Sequence, residues 1–517
     1  MYPGVYAATQ PDKPAIIHAS TGETVSYREL DERSNKLAHL LYDHGLRRGD
    51  HLALMLENHP IFLEVAWACL RSGIYFTPIN RHLSATEAAY IVDDCDARVL
   101  VASAALEQSG EVGRLTPGCG LKIAIGGAIA GFVDYESAIA CKPAHNIARE
   151  SLGALMLYSS GTTGRPKGIL RPLLDGSPAD GNPAVKFIAE VFRMDTETVY
   201  LAPAPMYHAA PLGYSNATIM SGGTVVMMDK FEPELALQLI ERYRVTHSQW
   251  VPTMLIRMLK LPEEIRNRYD LSSQRCAVHA AAPCPIDVKR KMIEWWGPII
   301  DEYYSSTEAA GYAKISSEEW LRHPGSVGRS QGKPFHICDD EGNELPRGEP
   351  GLIYAEMPAG SEATYHKDPE KTASARHPGH RDWLCVGDVG YLDEDDYLYL
   401  TDRKSFMIIS GGVNIYPQQI EDVLALHPML EDVAVIGVPN DDLGEEVKAV
   451  IQLAPGIEPS DQLAEEIKGF VCDKLGKQMT PRSIDFVTEL PRMPTGKLNK
   501  KSLRDYYWPS PGMVRAS

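Results

Sequence analysis

Short apolar runs alternate with amphipathic stretches along most of this chain, and few architectures accept that rhythm. HLALML (His51 to Leu56) reads as a buried strand, PIFLEVAWACLRSG as a helix closed by Gly73, and IYFTPIN as the next strand. The same alternation returns in ARVLVAS, TVVMM and AVHAAA. It predicts a layered α/β fold with helices covering sheets. There is no internal repeat and no low-complexity tract. A chain of 517 residues exceeds what one hydrophobic core organises, so at least two domains are expected. Composition shifts near YLDEDDYLYLTDRKSFMIISGG, where an acidic turn separates two strand-like runs. Beyond it, AVIGVPN, KAVIQLA and the helical DQLAEEIKGFVCDKL suffice for a small α/β domain. The expected division is a large N-terminal domain over residues 1–402 and a smaller C-terminal domain over 407–517.

Bulk composition removes several function classes. Hydrophobic residues make up 44% and charged residues 23% of the chain, as in globular proteins. A formal net charge of −18 opposes general nucleic-acid binding, because no overall positive field would gather phosphates. A phosphate ligand would need local cations. The nine cysteines are scattered without a C-x-x-C pair, which argues against a zinc site or disulfide framework and for reduced thiols in a cytoplasm. MYPGVYAATQPDKPAIIHAS lacks the basic start and apolar core of a signal peptide. No apolar run reaches the roughly 20 residues that cross a bilayer. The expectation is a cytoplasmic protein without a transmembrane segment, with peripheral membrane contact left open.

The segment LYSSGTTGRPKGI, Leu157 to Ile169, gathers hydroxyls, glycines and two cations directly after an apolar run. Gly161, Gly164 and Gly168 let a ligand approach the backbone closely. Ser159, Ser160, Thr162 and Thr163 supply donors, and Arg165 and Lys167 supply charge, a set that suits polyphosphate oxygens. A solvent-exposed glycine-serine turn is the alternative for such a tract. The order G-T-T-G-R-P-K-G is not a Walker A loop. The complete run resembles the phosphate-binding signature of the adenylate-forming superfamily, which includes acyl-CoA synthetases, peptide-synthetase adenylation domains and beetle luciferases. The resemblance implies that this loop holds the β- and γ-phosphates of ATP, with Thr162 beside Mg²⁺.

Further segments follow in the family's order. DEYYSSTEAAG (Asp301 to Gly311) offers Tyr304 to stack on adenine, Thr307 to bind the α-phosphate and Glu308 to hold Mg²⁺, a hard cation that prefers oxygen. It is similar to the family's Y-G-x-T-E motif, with Ser305 in place of glycine. HAAAPCP (His279 to Pro285) resembles the small-residue adenine turn, implying backbone approach at Ala281, Ala282 and Pro283. In VGDVGYLDEDDYLYLTDRKSF, Asp388 can accept both ribose hydroxyls and Arg403 can donate to the same sugar. A hairpin in LDEDDYL would bring the second strand beside the first; a surface salt bridge is the alternative for this pair. LPRMPTGKLNKKSLR resembles the catalytic lysine motif P-x-T-G-K, implying that Lys497 bridges the substrate carboxylate and the α-phosphate. A basic tail on an acidic surface is the other reading of those lysines.

The resemblance spans ETVSYRELDERSNKLAHLL to Lys497 and implies two half-reactions. A carboxylate attacks the α-phosphate of ATP to give an acyl-adenylate and pyrophosphate, and a thiol then displaces AMP. It further implies that the small domain rotates between the steps about a hinge at residues 403–406, and that Gly411 and Gly412 in ISGGVNIYP leave room for the pantetheine arm of coenzyme A. His208 is similar to an aromatic or histidine gate. An acyl pocket is expected around His208, Ala209, Ala210, Gly213, Trp250, Ala309 and Gly311, roomy and apolar, fitting a medium or long acyl chain or a bulky ring acid. APMYHAAPLGYSNATIM contains no acidic residue to hold an ammonium, which disfavours a free amino acid. An acyl-AMP ligase serving a carrier protein, luciferase-like oxidation and a nucleotide-binding pseudoenzyme remain alternatives. The partners are small molecules, namely the acid, ATP and CoA. The sequence leaves open a homodimer and a lysine acetyltransferase acting on Lys497, whose charge acetylation would erase. The usual hinge residue is Asp or Lys, whereas this chain has Ser405. Ser405→Pro is expected to slow thioester formation more than adenylation in single-turnover assays; equal losses would refute the hinge assignment.

Overall fold

A computed structural model describes residues 2–159, 166–357, 363–403, 406–440, 442–492 and 498–508. The chain forms two compact units that interleave in sequence: Met1–Gln249, Glu263–Ala277 and Pro358–Ser374 make the first, and Trp250–Pro262, Val278–Met357 and Ala375–Ser517 the second.

The first unit contains the alternating elements expected from its patterning. Strand His51–Met55 leads into helix Ile61–Arg71 and then strand Tyr75–Pro78. The helix is buried on nearly every side, which is why its sequence reads as almost continuously apolar. Gly73, at φ +69°, turns the chain back toward the sheet. Helix Ala85–Asp94 starts at a capping box, in which Ser84 accepts from the Glu87 N–H and Glu87 accepts from the Ser84 N–H. It leads to strand Ala97–Ser103. With Leu121–Ile125, Val133–Asp134 and Ala154–Leu155 these strands form a six-stranded parallel sheet. Leu100, Ile91, Val92, Val112 and Met156 pack one of its faces, each burial contributing about 1.5–3 kcal/mol. Strands Val199–Ala202, Thr224–Met227 and Pro14–His18 pair in parallel, with Thr24–Ser26 antiparallel at the edge. A small antiparallel sheet joins Leu157–Ser159, Lys167–Leu170 and Thr364–Tyr365.

The second unit holds an antiparallel run through Ile300–Ser305, Tyr312–Ile315, Ser326–Ser330, Leu398–Arg403, Trp383–Leu392, Gly351–Glu356 and Phe335–Cys338. The acidic turn in LDEDDYL joins Trp383–Leu392 to Leu398–Arg403, as expected. After Arg403 the chain builds a separate sheet. Leu430–Asn440 and Gly444–Leu453 form its long hairpin, with Ser483–Val487 parallel to the latter. Helix Asp461–Leu475 lies where the sequence places it, and its Leu463, Ile467 and Val471 pack on Val435, Ala449 and Ile451.

One titratable group is built into the six-stranded sheet. His51 opens its strand with its ring stacked 4.7 Å from Tyr75. Burial, reinforced by the nearby His366, pulls its pKa down to about 4. An unfolded histidine titrates near 6.5, so between these values the unfolded chain binds more protons. The associated stability is present above about pH 6.5 and is lost as pH falls toward 4. We expect the urea midpoint to drop across this window, and to drop less in His51→Phe; an identical pH profile for the variant would contradict the assignment.

Candidate active site

In the first unit, Ser159 ends one strand and Lys167 begins the next, and the two are cross-strand partners. Ser160, Gly161, Thr162, Thr163 and Gly164, between them, lie outside the described residues. The third strand of this sheet pairs Tyr365 with Ile169, and the His366 N–H donates to the Gly168 carbonyl at 2.8 Å. The chain therefore arrives beside Lys167, where the Asp368 carboxylate forms an ion pair with the lysine ammonium. Asp368 also accepts the Lys371 N–H at 2.8 Å. The cation expected at the phosphate loop is thus held by an acid that sequence reading did not single out.

His208 precedes helix Ala209–Met220, its ring 4.3 Å from that of Tyr207. Buried Asn58 fixes the loop that delivers it: its amide donates to the carbonyls of Ala204 at 3.1 Å and Met228 at 2.7 Å, and its oxygen accepts the Met206 N–H at 2.9 Å. Ala209 and Ala210 are half-buried and Gly213 is buried. The atom nearest the missing Cβ of Gly213 is Ile188 Cδ1, at 3.5 Å.

In the second unit, Tyr304 lies on Ile300–Ser305 and its hydroxyl donates to Asp388 Oδ2 at 2.9 Å. Asp388 is in turn the cross-strand partner of Arg403. Two separate motifs of the sequence are thereby brought together by this hydrogen bond and the strand register. Past Tyr304 the backbone closes a compact turn, with the Ala310 N–H donating to Ser306 Oγ at 3.1 Å and the Ala309 N–H to the Ser306 carbonyl at 2.9 Å. Thr307 and Glu308 stand half-buried on this turn. Ser305 has a task that glycine could not perform, since its hydroxyl donates to the Gly311 carbonyl at 2.8 Å. Ala309 adopts φ +56° and Gly311 φ +74°. At Gly311 a Cβ would fall 2.3 Å from Phe335 Cε1, so only glycine fits. Trp250 is buried with its ring edge-on to Trp296 at 5.7 Å.

The turn after His279 is also strained. Ala281 takes φ +76°, and both Ala281 and Ala282 are exposed, with Pro283 half-buried. Beneath it lies a buried charge cluster that sequence patterning did not reveal. Lys289 donates to Glu302 at 2.6 Å, and His279 Nε2 stands 3.4 Å from the same carboxylate oxygen. Burial raises the Glu302 carboxyl while the Lys289 ammonium opposes it, and burial pulls the His279 imidazole down toward its neutral form.

Gly411 and Gly412, at φ +59° and +81°, make the two-residue turn between Ile408–Ser410 and Val413–Ile415, a geometry requiring positive φ at both positions. Ser405 and Lys497 lie outside the described residues, as does the side chain of Arg403. The chain on either side of residues 493–497 is tied by an antiparallel bridge between Arg492 and Leu498. Nothing in the ENHP turn marked Asn58 for its role, whereas Asp368 sits in a charged HKDPEK run whose meaning depends on strand pairing. Asn58→Ala would strand two carbonyls and one N–H in the interior and is expected to cost about 2–4 kcal/mol in urea unfolding; a change under about 0.5 kcal/mol would sink the assignment.

The AMP-binding enzyme family model matches residues 5–363, and the AMP-binding enzyme C-terminal domain matches residues 419–497. A feruloyl-CoA synthase of Amycolatopsis sp is 32% identical over 500 residues, covering 96% of each chain. The fatty acid–[acyl-carrier-protein] ligase ScoC of Streptomyces coeruleorubidus is 29% identical over 520 residues, covering 97% of this chain and 95% of its own. The structure of the amide bond synthetase McbA from Marinactinospora thermotolerans aligns with a TM-score of 0.81 at 26% identity, covering 98% of this chain and 99% of that one. With its large N-terminal and small C-terminal α/β domains, the chain belongs to the AMP-binding enzyme family of adenylate-forming enzymes and is an AMP-forming ligase of the acyl-CoA synthetase type.

Proposed function

We propose that the protein is an ATP-dependent carboxylic acid–CoA ligase acting on a medium- or long-chain acid or a bulky apolar one. In the first step an oxygen of the substrate carboxylate attacks the α-phosphorus and pyrophosphate leaves. In the second the CoA thiolate attacks the acyl carbon and AMP leaves. The observation that carries this reading is the hydrogen bond from Tyr304 to Asp388, with Asp388 paired across the sheet to Arg403. It supports an adenosine site in which Tyr304 covers the base, the turn at Ala281, Ala282 and Pro283 meets its other face, and Asp388 accepts ribose hydroxyls. A carboxylate has about four acceptor positions, so it can serve both the phenol and the sugar.

Thr307 donates to the α-phosphate, and Lys497 neutralises charge that builds there and on the attacking carboxylate. Lys167 and the hydroxyl-rich loop from Ser159 to Gly164 hold the β- and γ-phosphates. Glu308 supplies a hard oxygen for Mg²⁺. Among the described residues no group of three or more His, Cys, Asp or Glu could hold a metal by itself. Glu308 and Thr162 would be the residues that hold the ion, since Mg²⁺ usually takes one or two protein oxygens and completes its shell with water and substrate phosphate. When bound, Mg²⁺ screens phosphate charge.

His208, Ala209, Ala210, Gly213, Trp250, Ala309 and Gly311 are the proposed acyl-site residues. The small side chains on helix Ala209–Met220 and the lack of an acidic residue there support an apolar acid over an amino acid. Residues 403–406 are the proposed hinge, and the Gly411-Gly412 turn the proposed passage for pantetheine. The resulting domains are 1–402 and 407–517. We place the enzyme in the cytoplasm; no helix among the described residues is long and apolar enough to cross a membrane. A carrier-protein thiol is the second reading of the acceptor, favoured by the similarity to ScoC.

The deciding experiment is mass spectrometry of the protein with Mg²⁺·ATP and a panel of fatty, aryl and steroid side-chain acids, with and without CoA. Acid-dependent AMP together with an acyl-CoA mass is expected, and Lys497→Ala should lose acid-dependent pyrophosphate release. Acyl-AMP that accumulates unchanged when CoA is added would overturn the CoA assignment in favour of another acceptor.

A further inference from the structure

The strand Leu430–Asn440 begins with an irregularity. Leu430 pairs with Leu453 and Asp432 with Gln452, but the register shifts between them, so Glu431 has no cross-strand partner. A bulge of this kind turns backbone groups out of the ladder, and each must find another partner. Lys260 supplies it. This residue caps helix Pro252–Leu259, and its ammonium donates to the carbonyls of Leu430 at 2.8 Å and Glu431 at 2.7 Å. An ammonium carries three donors on a flexible stem, and here two of them are spent on consecutive carbonyls.

The next residue continues the connection. Asp432 takes the Arg492 guanidinium in a two-pronged pair, with Nη2 donating to Oδ1 at 2.5 Å and Nε to Oδ2. Both side chains are about one-fifth exposed. Arg492 is also one half of the backbone bridge to Leu498, and the Asn499 N–H donates to the Pro491 carbonyl at 2.8 Å. A line of polar contacts therefore runs from Lys260, through the bulge and Asp432, to both ends of the segment containing Lys497.

We propose that Lys260 is a positioning residue for acyl-adenylate formation, acting through Asp432 and Arg492 on the segment that carries Lys497. The inference rests on the role given to Lys497 above. Lys260 acts through the two carbonyls it binds; its part is to hold the start of strand Leu430–Asn440 in place while adenylation proceeds. It has no comparable task in thioester formation.

Lys260→Met removes the ammonium and keeps an unbranched apolar stem, and Lys260→Arg restores charge and donors. With dodecanoate and ferulate as acid probes, single-turnover adenylation is expected to slow about tenfold in Lys260→Met. Thioester formation from supplied acyl-adenylate should change less than about twofold, and Lys260→Arg should recover part of the lost rate. Equal slowing of both steps, or no slowing of adenylation where Lys497→Ala abolishes it, would overturn the proposal. Adenylation that survives in Lys497→Ala would instead overturn the reading of that lysine, and the inference with it. Should neither acid react, hydrogen exchange of the full-length protein decides. Amides of Leu430–Val433 and Leu490–Arg492 should exchange faster in Lys260→Met while those of Trp383–Leu392 do not, and unchanged exchange in the first two would refute the connection.

Discussion

Two opposite charges sealed 2.6 Å apart, Lys289 and Glu302, hold the proposed nucleotide side of the second unit in register. Neither side chain is more than 5% exposed, and His279 leans on the same carboxylate. Moving such ions out of water is costly, and leaving one without the other is worse, by about 3–5 kcal/mol. The pair therefore permits one spacing between helix Ile286–Trp296, which carries Lys289, and strand Ile300–Ser305, which carries Glu302. Two residues beyond His279 comes the strained turn at Ala281; two residues beyond Glu302 comes Tyr304. The surfaces proposed to face the two sides of adenine are thus both sited relative to one buried contact.

The fold was legible where the physics is local. Strand and helix at residues 51–78 follow from apolar runs and a closing glycine, and helix Asp461–Leu475 follows from its period. The hairpin around LDEDDYL could be read from an acidic turn between two strand-like runs, and the pairing of Asp388 with Arg403 follows from it. What could not be read is what depends on distant strands finding each other. Asp368 meets Lys167, 201 residues earlier in the chain, only because Thr364–Tyr365 adds to the hairpin that carries the lysine. Asn58 matters because three backbone groups from two other segments converge on it. The interleaving of the two compact units, with residues 250–262 and 358–374 each serving a unit other than that of their neighbours, is likewise invisible in a linear pattern.

Departures from the family's motif have local explanations where the residues are described. Ser305 in place of glycine closes the Thr307–Glu308 turn through the Gly311 carbonyl, so the substitution adds a restraint to the backbone rather than removing one. The small residues near the proposed acyl site serve differing ends. Gly311 is glycine because Phe335 occupies the space of a side chain, whereas Gly213 has Ile188 only at ordinary contact distance. A methyl group at the first would collide; at the second it would narrow whatever lies beside the helix.

The interleaved chain also has a history during synthesis. A ribosome delivers Leu157–Ser159 and Lys167–Leu170 early, as a bare two-stranded hairpin, and such hairpins are marginal in water. Their third strand, Thr364–Tyr365, is made only after most of the antiparallel run of the second unit has already emerged. Asp368 follows three residues later, so until then the Lys167 ammonium has no carboxylate from this segment beside it. The proposed phosphate loop is therefore framed by a sheet that is among the last parts of the first unit to be completed, and a nascent chain halted before residue 364 would carry the loop's sequence without the strand that flanks it.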